Sequence, residues 1–111
     1  MRGSTALAFF AIALCPSSAF AGSSALGTVT NLTTQTGAMF FTTSGTRSSP
    51  PACATVPSRW VVSATTTSDQ ALIATILSAQ AQGRQVQVLG TGTCSISADT
   101  ETAAFVVVPL P

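Results

Sequence analysis

The 111-residue sequence has four basic and three acidic side chains, no histidine, a net charge of +1, and 46% apolar against 6% charged residues. That balance excludes a nucleic-acid track, which needs many Lys and Arg to neutralise phosphates, and excludes a disordered chain, whose mark is high charge with low hydrophobicity. Lysine and tyrosine are absent as well as histidine, so the usual acid–base and nucleophilic groups are missing and we expect a non-enzymatic protein without metal or cofactor.

Residues 1–21 carry the three parts of a secretory signal: a cationic start at Arg2, an apolar run from Ala6 to Leu14, and small residues ending Ala19-Phe20-Ala21. Cleavage after Ala21 would leave residues 22–111 as a single domain in the periplasm or outside the cell. The apolar run is far short of the ~20 residues that cross a bilayer, and no later stretch replaces it, so the mature chain is expected to have no membrane span. Cys15 leaves with the signal; a lipoprotein signal at this cysteine would carry a small residue where Leu14 stands. The two remaining cysteines, Cys53 and Cys94, predict one disulfide in an exported chain.

Gly22 to Ala25 forms a polar leader, and Leu26 to Thr33, with apolar Leu26, Val29 and Leu32, predicts a first strand. Gln35-Thr36-Gly37 is a turn signal, and Ala38 to Thr42 predicts a second strand closing a hairpin. From Thr43 to Pro57 the chain turns to Ser, Gly and Pro, a surface loop tethered at Cys53. Ser58 to Ser63 predicts a third strand, with Trp60 and Val62 on one face and Arg59 and Val61 on the other.

Thr67 and Gln70 have capping-box spacing, and Leu72, Ile73, Ile76, Leu77 and Gln80 recur at helical intervals until Gly83, so one amphipathic helix of about four turns follows. Gln85 to Leu89 alternates as a half-buried fourth strand, and Gly90-Thr91-Gly92-Thr93 gives the chain a sharp turn into Cys94. Asp99 and Glu101 fall in the polar stretch Ser95 to Thr102 and are expected to be solvated charges. Ala103 to Val108 predicts a last strand, with Phe105 and Val107 filling the core and Val106 and Val108 pointing outward to be covered by the helix or another subunit.

The order of elements is that of a mainly β domain with one helix, and matches a five-stranded OB-fold-like barrel (β-β-β-α-β-β); a small α+β sandwich is the alternative. Three side chains are candidates for ligand binding. Trp60 offers a ring with a polar edge, and Arg59 and Arg47 could orient a hydroxyl or carboxylate. Asn31-Leu32-Thr33 fits an N-glycosylation pattern.

Gly27-Thr28-Val29-Thr30, Gly37 leading into Phe40-Phe41, Trp60, and the alanine-rich helix closing in Gly83-Arg84-Gln85-Val86-Gln87-Val88 together resemble the pentameric binding (B) subunits of AB5 toxins, especially the subtilase-cytotoxin type. Gly90 to Cys94, with a middle-loop cysteine, also resembles short uncharacterised bacterial exported proteins. The resemblance implies an OB-fold protomer, a homopentameric ring and recognition of a glycan or glycoprotein. The serine that contacts glycan in the subtilase type, immediately before the first-strand glycine, is Leu26 here, so the resemblance carries over architecture and no glycan residue. The competing expectation is a monomeric secreted or periplasmic domain, structural or inhibitory, that binds a protein through the Thr43 to Pro57 loop.

Overall fold

Threonine and β-branched residues favour extended backbone, and strands outnumber the single helix in the computed structural model of the protein, which describes residues 21–110. In chain order the elements are β1 (Ser23–Ser24), β2 (Gly27–Gln35), β3 (Ala38–Thr43), β4 (Arg47–Ser48), β5 (Arg59–Ser63), α1 (Thr67–Gln82), β6 (Gln85–Gly90) and β7 (Glu101–Val107). The protein is thus mainly β with one helix. The export signal expected over residues 1–21 lies, except for Ala21, outside the described residues.

All strands join one sheet in the order β2-β3-β5-β7-β6-β1-β4, and an additional pairing of β2 with β6 returns the order to its start. Two joints of this circuit are short. Gly27 and Thr28 pair with Val86 and Gln85, and Trp60 and Val61 run parallel to Glu101 and Thr102. The other long-strand neighbours are antiparallel. The polar leader and the Ser/Pro loop, expected to be irregular, also contribute strand: β1 and β4 pair with each other, and Ser23 pairs with Leu89 of β6.

The β2–β3 hairpin turns through Thr36-Gly37, with Gln35 opposite Ala38 and Gly37 at φ 80°, a left-handed conformation that glycine adopts without a Cβ penalty. The N-cap of helix α1 lies one residue before the predicted cap. Thr66 is the N-cap, its hydroxyl accepting from Asp69 N at 3.1 Å, and Thr67 is already helical. At the other end Gly83, at φ 66°, donates its N–H to the carbonyls of Ala79 and Gln80. The helix buries Ile76 and Ala79, with Leu72 and Ile73 half-buried against a core of Met39, Phe41, Trp60, Val62, Val86 and Val88.

The last strand reverses the expected facing. Phe105 is 52% exposed and Val107 40% exposed, whereas Val106 and Val108 pack against the core. The cause is a bulge. Leu89 pairs with Phe105 but the next residue, Gly90, pairs with Ala103, so Ala104 is an extra residue on β7. One inserted residue exchanges the two faces of everything beyond it.

Cys53 and Cys94 form the expected disulfide, which ties the loop after β4 to the loop after β6 across 41 residues. Among the described residues no helix is long and apolar enough to cross a membrane.

Candidate functional site

Two places on the molecule gather chemistry, and the three candidate ligand residues divide between them. The first lies where β1, β4, β5 and β7 meet. Glu101 occupies an inward position at the start of β7 and is fully buried, which overturns the expectation that it is a solvated charge. Its partners come from segments far apart in sequence, which is why its neighbours along the chain do not reveal its burial. Arg47 Nη2 meets Oε1 at 2.5 Å, while the backbone N–H groups of Gly22 and Gly92 both donate to Oε2 at 2.9 Å.

Space for this carboxylate comes from glycine: a Cβ on Gly90 would be driven into the Glu101 carboxylate and the Trp60 ring. A buried carboxylate with a cationic partner and two backbone donors meets the condition under which a charge is tolerated in an interior.

Arg47 is held on three sides. Besides Glu101 it donates to the Pro57 carbonyl, and its guanidinium lies 3.9 Å from the centroid of the Trp60 ring. Burial pulls the Arg47 guanidinium below its ordinary value, and the charge and hydrogen bond of Glu101 pull it back. Trp60 itself is only 1% exposed, so its ring face belongs to the core and to Arg47. Arg47 and Trp60 border a cleft of about 260 Å³ with Thr43, Gly45, Pro57 and Ser58. What that cleft offers a ligand is mainly hydroxyl and backbone, because the cation is already neutralised.

The second place is the outer face of β2, β3 and β5. Alternation sends Met39 and Phe41 inward and leaves Phe40 half-buried on the outside. Thr42 is opposite Arg59, and Thr33 is opposite Phe40. The Arg59 guanidinium sits 4.8 Å over the Phe40 ring. It is fixed there from one side: Nη2 donates to Asp99 Oδ1 at 2.9 Å and to Thr100 Oγ1 at 2.8 Å, and Nε donates to Thr100 Oγ1 at 2.9 Å.

Asp99 is the solvated member of the expected carboxylate pair, 46% exposed in its side chain. The hydroxyls of Thr100 and Ser97 hold its carboxyl below the usual range, with Arg59 adding to the effect. Asn31, Thr33, Phe40, Phe41, Thr42 and Arg59 line a shallow cavity of about 220 Å³ on this face. It combines an aromatic surface, an anchored cation, an amide and two hydroxyls with no uncompensated charge.

Arg59 therefore lies on the opposite side of β5 from Trp60, and Arg47 accompanies Trp60. Sequence reasoning singled out Arg59 but missed Phe40, Thr42, Asn31 and Thr33 as its neighbours. The signal was present in the strand alternation, since residues two apart share a face, but the pairing that sets Arg59 opposite Thr42 is visible only in the fold.

No family model, curated protein or solved structure matches the chain.

Proposed function

We propose that this chain is an exported, non-enzymatic binding protein with an OB-fold-like barrel, which recognises a glycan or glycoprotein on the outer face of β2, β3 and β5 and assembles as a homo-oligomer of the toxin B-subunit kind. The pairing circuit β2-β3-β5-β7-β6-β2, parallel only at β5–β7 and with the helix between the third and fourth long strands, supports the OB assignment. The disulfide supports an oxidising destination.

The observation that carries the binding reading is the cleft in which Arg59 lies over Phe40 beside Asn31, Thr33 and Thr42. A sugar presents an apolar C–H face and a rim of hydroxyls. The flat guanidinium stacked over the half-buried Phe40 ring, beside an amide and two hydroxyls, offers a surface for the one and hydrogen-bonding groups for the other, and Asp99 and Thr100 hold the guanidinium in advance of binding. The outward Phe105 and Val107 support self-association, because exposed apolar side chains on a sheet favour cover. Glu101 supports a non-enzymatic role, because it is fully buried and both its oxygens are engaged by donors inside the fold.

The test is a glycan array probed with residues 22–111. The wild-type protein is expected to bind a restricted set of glycans, and Phe40→Ala and Arg59→Gln to lose that binding while circular dichroism shows the fold retained. No binding by the wild type across a broad array, or full binding by both variants, overturns the proposal.

A further inference from the structure

We infer that cleavage after Ala21 builds structure: it converts the Gly22 amide into an α-ammonium group that joins Arg47 on the buried Glu101 carboxylate. The inference rests on the proposed removal of residues 1–21. In the cleavage, an export protease hydrolyses the Ala21–Gly22 peptide bond. Water supplies the hydroxyl that leaves Ala21 as a carboxylic acid and the hydrogen that makes the Gly22 nitrogen an amine, and the acid then ionises while the amine takes up a proton to become the ammonium.

The place for that group is already formed. Gly22 is buried, its nitrogen lies 2.9 Å from Glu101 Oε2, and its carbonyl accepts from Gly90 N at 2.8 Å. These contacts join the start of the mature chain to a residue 79 positions away.

Gly22 fits because it is glycine. A Cβ there would collide with the Glu101 carboxylate and would stand 2.8 Å from Arg47 Nη2 and 3.2 Å from the Ser49 carbonyl oxygen. Ala21, by contrast, is exposed. The new terminus therefore sits at the boundary, with one side against Glu101 and the other opening where Ala21 had been, so the ammonium is not fully stripped of water. The amide N–H already makes a charge-assisted bond to this carboxylate, and the ammonium adds to it the attraction of a full positive charge for a negative one in a partly dry site. Glu101 is suited to receive it, because Arg47 occupies Oε1 and the Gly22 nitrogen approaches Oε2.

The sequence makes the experiment specific, because with no lysine present the α-amine is the single amine in the chain. Residues 22–111 are released from an N-terminal tag by a site-specific protease so that Gly22 is the first residue, and are compared with the same chain retaining Ala21. The Gly22 form is expected to melt roughly 4–8 °C higher. Its amine should be acylated by an amine-reactive ester at neutral pH several-fold more slowly, because only the unprotonated amine reacts and the carboxylate holds the proton on it. Equal melting temperatures with equal acylation rates overturn the inference.

In Glu101→Gln both differences should shrink; if they persist at full size, the carboxylate is not the partner. The intact mass of the naturally exported protein is read separately. A chain starting at Gly22 supports the cleavage position on which the inference rests, and any other start overturns that position without altering the paired comparison of the two prepared chains.

Discussion

Glu101 and Arg47 show how a chain with few charges can commit two of them to its interior. Removing one partner of a buried ion pair leaves the other uncompensated, at a cost of about 3–5 kcal/mol. The geometry makes the two partners unequal. Glu101→Ala would strand Arg47 and also the N–H groups of Gly22 and Gly92, whereas Arg47→Met would leave Glu101 with two backbone donors. Urea denaturation should therefore show Glu101→Ala to be the more destabilising, by about 3 kcal/mol or more relative to wild type, with Arg47→Met falling between the two.

Asp99 calls for a pH experiment instead. Its folded-state value is depressed, so its contribution to stability is present above the unfolded value and is lost as pH falls through the folded one. Melting temperature measured against pH should show a shallower decline below about pH 4 in Asp99→Asn than in the wild type.

At the scale of elements, periodicity and turn chemistry were sufficient to place β2, β3, β5, α1 and β6, and Trp60, Val62, Ile76, Val86 and Val88 are buried where the pattern marks them, whereas Leu26 and Leu77, marked in the same way, are exposed. They were insufficient where two signals competed or where pairing intervened. Thr66 and Thr67 both carry a capping hydroxyl, and the Thr67–Gln70 spacing fits a capping box. The structure instead uses Thr66 with Asp69, which also places a carboxylate in the first turn. Thr66→Ala should accordingly cost about 1 kcal/mol in thermal or urea unfolding and Thr67→Ala only a few tenths. On β7, alternation counted from either end is correct locally and wrong across Ala104, because a bulge depends on the partner strand and leaves no mark in hydropathy. Glu101 was misjudged for a related reason: composition places carboxylates in water, and the donors that admit this one come from β4, the leader and the loop after β6.

At the scale of the whole molecule, the Cys53–Cys94 bond spans 41 residues and joins two loops that also carry polar contacts, including Val56 N to the Asp99 carbonyl. In the chain-entropy account a loop of that length contributes about 4 kcal/mol, a large part of the 5–15 kcal/mol typical of a single domain. Cys53→Ser with Cys94→Ser should lower the urea midpoint accordingly. Because the same bond steadies the segment that leads to Asp99 and Thr100, the double variant should also bind more weakly on the Arg59 face.

The measurement that tests the account most directly is backbone amide NMR of isotope-labelled residues 22–111, titrated with a glycan selected from the array. The account predicts saturable shifts concentrated at Asn31, Thr33, Phe40, Thr42 and Arg59. Shifts confined to the Thr43 to Pro57 loop and the cleft beside Arg47 and Trp60, with the outer face of β2, β3 and β5 unchanged, would contradict it.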